Sequence, residues 1–365
     1  MKKSLFLLTA AAVAAISACA PEGAYTINGS SECLNDGDTV YVAQRHGREF
    51  VNLDTAIVNA GTFAFTGVKE ATEPCYILVP AKQIRQLFFL EGGKMTATVD
   101  STCCKVSGSP SNDVYNEVNP VLDSLWDNMN NAWRGYFAPT TTDEMREEMV
   151  KIHDARTLEY AKAAGEATLK NIGNPVGLYY LKEQGFRFEV ETLHEIFEAI
   201  DTNILAADES LQRMKANNAN EYATRVGQKF TDFTAKTPDG VETSLSDYAG
   251  KGKYVLVDFW ASWCGPCCRE MPNVVELYAK YKDTGKFEVV GVSLDDNVDD
   301  WKAAIEKLGI TWPQMSDLQG WQCAPAKLYG VDGIPHTVLI GPDGEIVARD
   351  LREKKLASTL EELIK

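Results

Sequence analysis

The chain has 365 residues, which is more than one domain of ordinary size needs and predicts two or three domains. Hydrophobic residues make up 45% of it and charged residues 24%, a balance that excludes a wholly disordered or collagen-like chain. The formal net charge is -16 and the sequence pI is about 4.8. No nucleic acid partner is therefore expected, because binding phosphate requires a basic face.

The N-terminus has the pattern of an export signal. Lys2 and Lys3 precede an apolar run at 5–16, which is shorter than the roughly 20 residues of a spanning helix. Ile16-Ser17-Ala18-Cys19 then resembles a bacterial lipobox, whose cysteine becomes the lipidated first residue. We expect a signal peptide at 1–18, a lipid anchor on Cys19 and a place in the cell envelope facing the periplasm. The alternative is an ordinary secretory signal with a coincidental cysteine.

Residues 19–107 are predicted to form a β-rich domain. DTVYVAQ at 38–44 and GTFAFTG at 61–67 alternate apolar and polar residues, and turn-forming residues such as Asn35-Asp36-Gly37 separate the runs. This pattern favours a small all-β sandwich or partly open barrel. In pattern and position the region resembles the β-rich domain of unknown function that precedes redoxin domains in bacterial envelope lipoproteins.

In the region 108–225, the spacing of apolar residues changes to that of α-helices. Apolar residues recur at helical spacing in two clear groups, Val118, Val121, Leu122 and Leu125, and Leu193, Ile196, Phe197 and Ile200. Pro139 and Thr142 mark the start of another candidate helix. We therefore expect a bundle of four or five helices between the two ends of the chain.

The region 226–365 is predicted to be a mixed α/β domain. KYVLVDFW at 253–260 is nearly continuously apolar, as in a strand buried on both faces of a sheet. The other expected elements are a helix through Lys282, a strand at 287–294, a helix at 299–308, a hairpin of strands at 336–341 and 345–350, and a helix at 352–365. Alternating strands and helices that end in a hairpin favour a mixed sheet covered by helices on both faces.

A two-cysteine motif follows the buried strand directly. It reads Trp263-Cys264-Gly265-Pro266-Cys267 and opens the next helix, and Gly333-Ile334-Pro335 comes later. With these residues, 226–365 resembles the thioredoxin fold and, within it, the TlpA-like thiol:disulfide oxidoreductases among AhpC/TSA-type redoxins. The resemblance implies a redox disulfide between Cys264 and Cys267, and a site whose substrate lies against Trp263, Gly265, Pro266 and Ile334.

The spacing of the two cysteines suits disulfide exchange. At an exposed helix N-terminus, free backbone N–H groups and the helix dipole favour the Cys264 thiolate and lower its pKa, so it is the expected attacking group. Cys267 lies three residues on, on the same helical face, and is the expected resolving thiol. Pro266 fits the first helical turn, where a missing N–H matters little.

The resemblance also assigns roles to Asp258 and Pro335. It implies a buried carboxylate at Asp258, beneath the second cysteine, which exchanges a proton with Cys267. The alternative is a strand aspartate that faces water. It implies a cis peptide bond at Pro335 that lets the Ile334 backbone pair with an extended substrate. The alternative is a trans proline at the start of a strand.

The cysteines have several other possible functions. A CxxC can be half of a zinc site, but the sequence has no second CxxC and only four histidines, so no metal and no other cofactor is expected. Cys268 is either an alternative resolving thiol or a small buried side chain. Cys323 has no partner that the sequence identifies.

The predicted function is reduction of protein or peptide disulfides, with electrons from an unidentified membrane donor. A disulfide isomerase or oxidant is an alternative, although Gly-Pro between the cysteines resembles reducing members of the family. A peroxiredoxin-like peroxidase is another, but Ala261 and Val257 stand where that family has threonine and proline. A non-enzymatic alternative is a lipoprotein adaptor that binds a partner through residues 24–222.

Overall fold

The computed structural model describes residues 21–364, which form two compact units. The first unit runs to Ala163 and includes Lys170–Leu181. The second contains Ala164–Leu169 and the chain from Lys182 onward. The predicted signal peptide and the predicted lipidation of Cys19 lie outside the described residues.

The first unit begins with two four-stranded sheets. Their strands β1–β8 span Ala24–Ser31, Thr39–His46, Glu49–Ile57, Thr62–Val68, Glu73–Val79, Ile84–Leu90, Gly93–Val99 and Cys104–Ser107. The sheet orders are β4-β1-β7-β8 and β3-β2-β5-β6, and only the β1–β7 pairing is parallel among them. Apolar residues of both sheets form one core, including Ile27, Phe65, Ile77 and Phe88. The predicted all-β region is confirmed.

Helices follow, as predicted. The helices α1–α6 span Pro110–Tyr136, Asp143–Lys170, Pro175–Gln184, Val190–Ala199, Thr202–Ala207 and Glu209–Ala223. The expected number of four or five was wrong, because two aspartates begin additional helices. Asp201 accepts the backbone N–H of Asn203 before α5, and Asp208 accepts those of Ser210 and Leu211 before α6.

The second unit is built on a five-stranded sheet of order β13-β12-β11-β14-β15. It follows a short hairpin of β9 and β10, and the strands β9–β15 span Thr234–Lys236, Glu242–Ser244, Tyr254–Trp260, Phe287–Ser293, Gln314–Met315, His336–Ile340 and Ile346–Arg349. The helices α7–α10 span Gly265–Tyr281, Val298–Leu308, Ala324–Leu328 and Glu353–Leu363. The predicted mixed α/β fold of thioredoxin type is confirmed, and β9, β10, β13 and α9 are elements that the sequence pattern did not reveal.

The sheet places the two sequence motifs at one edge. Strand β11 pairs with β12 in parallel and with β14 in antiparallel orientation. Phe259 near the end of β11 lies opposite His336 at the start of β14. The segment after β11, which carries the cysteines, and the segment before β14, which carries Pro335, therefore meet. Because β11 is central, all residues from Val255 to Trp260 are buried, as its apolar sequence predicted.

Candidate redox site

Cys264 lies at the N-cap of helix α7 and is joined to Cys267 by a disulfide bond. The backbone N–H of Cys267 donates to the Cys264 sulfur over 3.2 Å, a contact that also stabilises a thiolate at this position. The expected exposure of Cys264 was wrong, because this residue is only 5% exposed. Cys267, at 1%, is the more deeply buried of the two.

The loop before β14 covers the disulfide. The Ile334–Pro335 peptide bond is cis, as the family resemblance implied, and Pro335 is buried. The carbonyl oxygen of Ile334 lies 3.7 Å from the sulfur of Cys264. This contact, between residues 70 positions apart, explains why Cys264 is less accessible than a helix N-terminus alone suggests. The Ile334 backbone therefore lies directly beside the Cys264 sulfur.

Exposed residues surround the buried sulfurs. Trp263 is 52% exposed, and Gly265 and Pro266 at the start of α7 are also exposed. Pro266 occupies the first turn of α7, where no N–H is required. The predicted substrate-binding residues thus lie beside the disulfide, while their role stays a prediction.

Asp258 is a buried carboxyl group in the middle of β11. It is 4% exposed, and burial raises its pKa to about 7, with a further increase from the negative charge of Glu270 and a decrease from Arg352. Successive strand residues point to opposite faces, and Phe259 contacts Tyr329 and His336 on one of them. Asp258 therefore points to the other face. The alternative of a water-facing strand aspartate is wrong.

Two charged residues connect Asp258 with the site, and sequence reasoning missed both. Glu270 lies one helical turn after Cys267 in α7, where its carboxylate accepts the backbone N–H of Glu353 over 2.7 Å. Arg352 donates to the carbonyl oxygen of Pro335 and to Asp350. Since both charges act on Asp258, its proton equilibrium is coupled to the surroundings of the second cysteine and of the cis proline.

A second buried carboxylate holds the segment that leads to Cys264. Asp295 is 1% exposed and accepts four hydrogen bonds: the backbone N–H of Ser262 at 3.2 and 3.0 Å, the Ser262 hydroxyl at 2.5 Å and the Ser293 hydroxyl at 2.6 Å. The sequence did contain a signal for it. Asp295 follows strand β12, and the carboxyl ends of parallel β11 and β12 lie at the same edge of the sheet.

Three further residues take no part in the Cys264–Cys267 bond. Cys268 is a free, half-buried thiol whose sulfur lies 3.5 Å from the Ser262 carbonyl oxygen. Cys323 is also free but fully buried, and burial raises its pKa to about 12. His336 lies beside Arg349 at 3.2 Å, and burial and that guanidinium lower its pKa to about 4. At neutral pH, His336 is therefore uncharged.

Within residues 21–364, no three histidine, cysteine, aspartate or glutamate side chains come together as metal ligands. In the same part of the chain, no helix is both long and apolar enough to cross a membrane.

Two family models match separate parts of the chain. Residues 226–349 match the AhpC/TSA family, and residues 25–115 match a domain of unknown function, DUF4369. The first match covers the redox motif, the cis proline and every strand of the five-stranded sheet. The second covers the eight strands of the first unit except Ala24, where the sequence pattern indicates a β-rich domain of unknown function.

Two curated relatives match between a third and two fifths of the chain. A thiol-disulfide oxidoreductase ResA of Bacillus thuringiensis subsp. konkukian is 31% identical over 145 residues, which are 40% of this chain and 80% of the relative. The protein of that name from Oceanobacillus iheyensis is 40% identical over 126 residues, 33% of this chain and 62% of the relative.

Solved structures also match. A thiol-disulfide oxidoreductase from Bacteroides fragilis is 32% identical, with 38% of this chain and all of that chain covered and a TM-score of 0.36. The thioredoxin domain of a thiol-disulfide oxidoreductase from Bacteroides vulgatus is 36% identical, with 39% and 99% covered and the same TM-score.

Proposed function

The chain belongs to the AhpC/TSA family and to its thiol-disulfide oxidoreductases, and from this premise we propose that it reduces protein disulfides by exchange through Cys264 and Cys267. The observation that carries the proposal is the position of Cys264. Its sulfur is bonded to Cys267, accepts a backbone N–H at the start of α7 and lies 3.7 Å from the Ile334 carbonyl oxygen.

In the first step, the Cys264 thiolate attacks one sulfur of the substrate disulfide. A bond forms between Cys264 and that sulfur, the substrate S–S bond breaks, and the released substrate thiolate takes up a proton. The helix N-terminus favours the attacking thiolate because it supplies N–H donors and the positive end of the dipole. The backbone at Ile334 then lies beside the substrate segment and is available to pair with it as an added strand.

In the second step, the Cys267 thiol loses its proton and attacks the Cys264 sulfur. The Cys264–Cys267 disulfide forms, the mixed disulfide breaks, and the second substrate thiolate leaves and is protonated. Asp258 supports this step, because a carboxyl group whose pKa is raised to about 7 can accept a proton at working pH. The substrate gains two electrons and two protons, so a dithiol donor must reduce the enzyme again.

Location in the cell envelope is part of the same proposal. Its support is the sequence Ile16-Ser17-Ala18-Cys19 after a short apolar run. We propose that Cys19 is lipidated, that the redox unit faces the periplasm and that the dithiol donor is a membrane protein. Mass spectrometry of the native protein should find a lipidated N-terminal Cys19. An unlipidated protein that starts elsewhere contradicts the anchor, but not the exchange chemistry.

The chemistry is tested by activity together with thiol labelling. Treatment of the native protein with dithiothreitol should expose two additional thiols, and the reduced protein should then reduce a disulfide peptide. Cys264→Ser should abolish that reduction. After reduction, iodoacetamide at neutral pH should label Cys264 before Cys267 and Cys268. A protein that reduces no disulfide, or in which Cys267 or Cys268 reacts first, contradicts the proposal.

A further inference from the structure

Two half-exposed tryptophans lie together beside the disulfide. Trp263 is 52% exposed and Trp321 48%, and their ring centroids are 6.0 Å apart at an interplanar angle of 53°. The other tryptophans of the second unit, Trp260, Trp301 and Trp312, are at most 4% exposed. The exposed tryptophan surface of the second unit therefore lies in one place, next to Cys264. The two rings come from segments that are 58 positions apart in the sequence.

The segment that carries Trp321 is held in place on both sides. Trp321 lies in a single 3₁₀ turn, Gly320–Gln322. Leu318 before the turn and Gly320 at its start have φ of +56° and +55°. After it, the fully buried Cys323 donates its backbone N–H to the Gly320 carbonyl oxygen over 3.0 Å. Such a backbone is not a flexible tip, so the exposed indole is presented at a defined place.

The carboxylate of Asp317 closes this loop. It accepts the backbone N–H of Gln319 at 3.1 Å and that of Ala324 at 2.7 Å, on the two sides of the turn. The backbone that carries the indole is therefore already ordered before a substrate binds, and only the side chain has to be fixed. Large aromatic side chains with these properties contribute much of the binding free energy in protein interfaces.

We propose that Trp321 and Trp263 together bind an apolar side chain of the substrate polypeptide near the cysteine that Cys264 attacks. This inference rests on the proposed function and names the substrate class of that site. The surface lies next to the reacting sulfur, because Trp263 directly precedes Cys264 and its ring contacts that of Trp321. Small disulfides, which lack flanking residues, do not use it.

The test compares substrates in the full-length protein, reduced beforehand. The substrates are hydroxyethyl disulfide and three disulfide peptides that carry Leu, Ser or Arg two residues from the cysteine. Acid quenching and chromatography give the observed rate of reduction at several peptide concentrations. The second-order rate constant and any saturation by the peptide follow from these rates. Trp321→Ala is compared with Trp321→Phe, which keeps an aromatic ring, and with Trp133→Ala, which removes a tryptophan of α1 that is 42% exposed.

Trp321→Ala should slow reduction of the Leu peptide about tenfold, which corresponds to about 1.4 kcal/mol, through weaker binding. Hydroxyethyl disulfide and the Ser peptide should change less than twofold, Trp321→Phe should restore most of the loss, and Trp133→Ala should behave as wild type. Equal losses on all substrates, no loss on the Leu peptide, or the largest loss on the Arg peptide overturns the inference. Wild-type protein that reduces none of the substrates contradicts the proposed function instead.

Discussion

Replacement of Asp258 by asparagine separates the electrostatic role of this carboxyl group from its shape. In the folded protein, burial and the charge of Glu270 raise its pKa to about 7, whereas an aspartate in an unfolded chain titrates near 3.9. At a pH between these two pKa values, the folded state binds more protons than the unfolded state. The free energy of unfolding contributed by this group therefore falls as the pH rises from about 4 to about 7.

The magnitude follows from the shift of about three pKa units. At 1.36 kcal/mol per unit, ionisation of Asp258 destabilises the fold by roughly 4 kcal/mol at pH 8 relative to pH 4. The side chain of Asp258→Asn cannot ionise, so this pH dependence is lost. The buried amide is uncharged at both pH 4 and pH 8. The free energy of unfolding of Asp258→Asn minus that of wild type should therefore rise by about 4 kcal/mol between pH 4 and pH 8.

Urea unfolding of the oxidised protein at several pH values measures this difference directly. Glu270→Gln is a matched control, because it removes the neighbouring negative charge and should move the transition in the pH profile to a lower value. A difference between Asp258→Asn and wild type that stays constant from pH 4 to pH 8 refutes the reasoning.

The same variant tests the role of Asp258 in catalysis. Attack by Cys264 should persist, whereas resolution by Cys267 should slow on the order of 100-fold, the usual value of general acid–base assistance. Rapid acid quenching followed by mass spectrometry gives the fraction of mixed disulfide over time. If Asp258→Asn resolves the mixed disulfide at the wild-type rate from pH 6 to pH 9, Asp258 is only a structural residue of the strand.

Two stability predictions test the packing around the site. Gly330→Ala should destabilise the protein by more than about 2 kcal/mol in urea unfolding, because φ is +65° and the added Cβ meets Glu221 atoms at 2.6–2.9 Å. The control Gly227→Ala, where φ is +86° and nothing lies within 4 Å of the added Cβ, should cost only about 1 kcal/mol. Equal losses for the two variants contradict the predicted clash. Asp295→Ala should lower the free energy of unfolding by about 3 kcal/mol or more, because it leaves buried donors without an acceptor. Ser262→Ala, which removes one of those donors, should lower it by about 1 kcal/mol. A smaller loss for Asp295→Ala than for Ser262→Ala contradicts the assigned hydrogen bonds.

The parts of the site that the sequence predicted are contiguous motifs. The spacing of Cys264 and Cys267 and the apolar strand around Asp258 are visible within a few residues, since local structure determines their relation. The region of helices was also visible from its period, but the number of helices was not, because single capping aspartates divide the run.

The parts that sequence reasoning missed depend on contacts between distant segments. Asp295 binds Ser262 across 33 positions, and Trp321 reaches Trp263 only after β12, α8 and β13 have brought its loop to the same edge of the sheet. The low exposure of Cys264 has the same origin, since the Ile334 backbone that covers it comes from 70 positions later. Periodicity cannot report such contacts, because it describes one element at a time.

The most direct test of the account is to identify the cysteine that carries the substrate in a trapped mixed disulfide. Cys267→Ser, incubated in its reduced form with a disulfide peptide and digested without reduction, should yield the peptide attached to Cys264. Cys264→Ser should yield no adduct at Cys267 under the same conditions. A substrate adduct found on Cys268 or Cys267, with Cys264 unmodified, contradicts the central claim that Cys264 at the start of α7 is the attacking thiol.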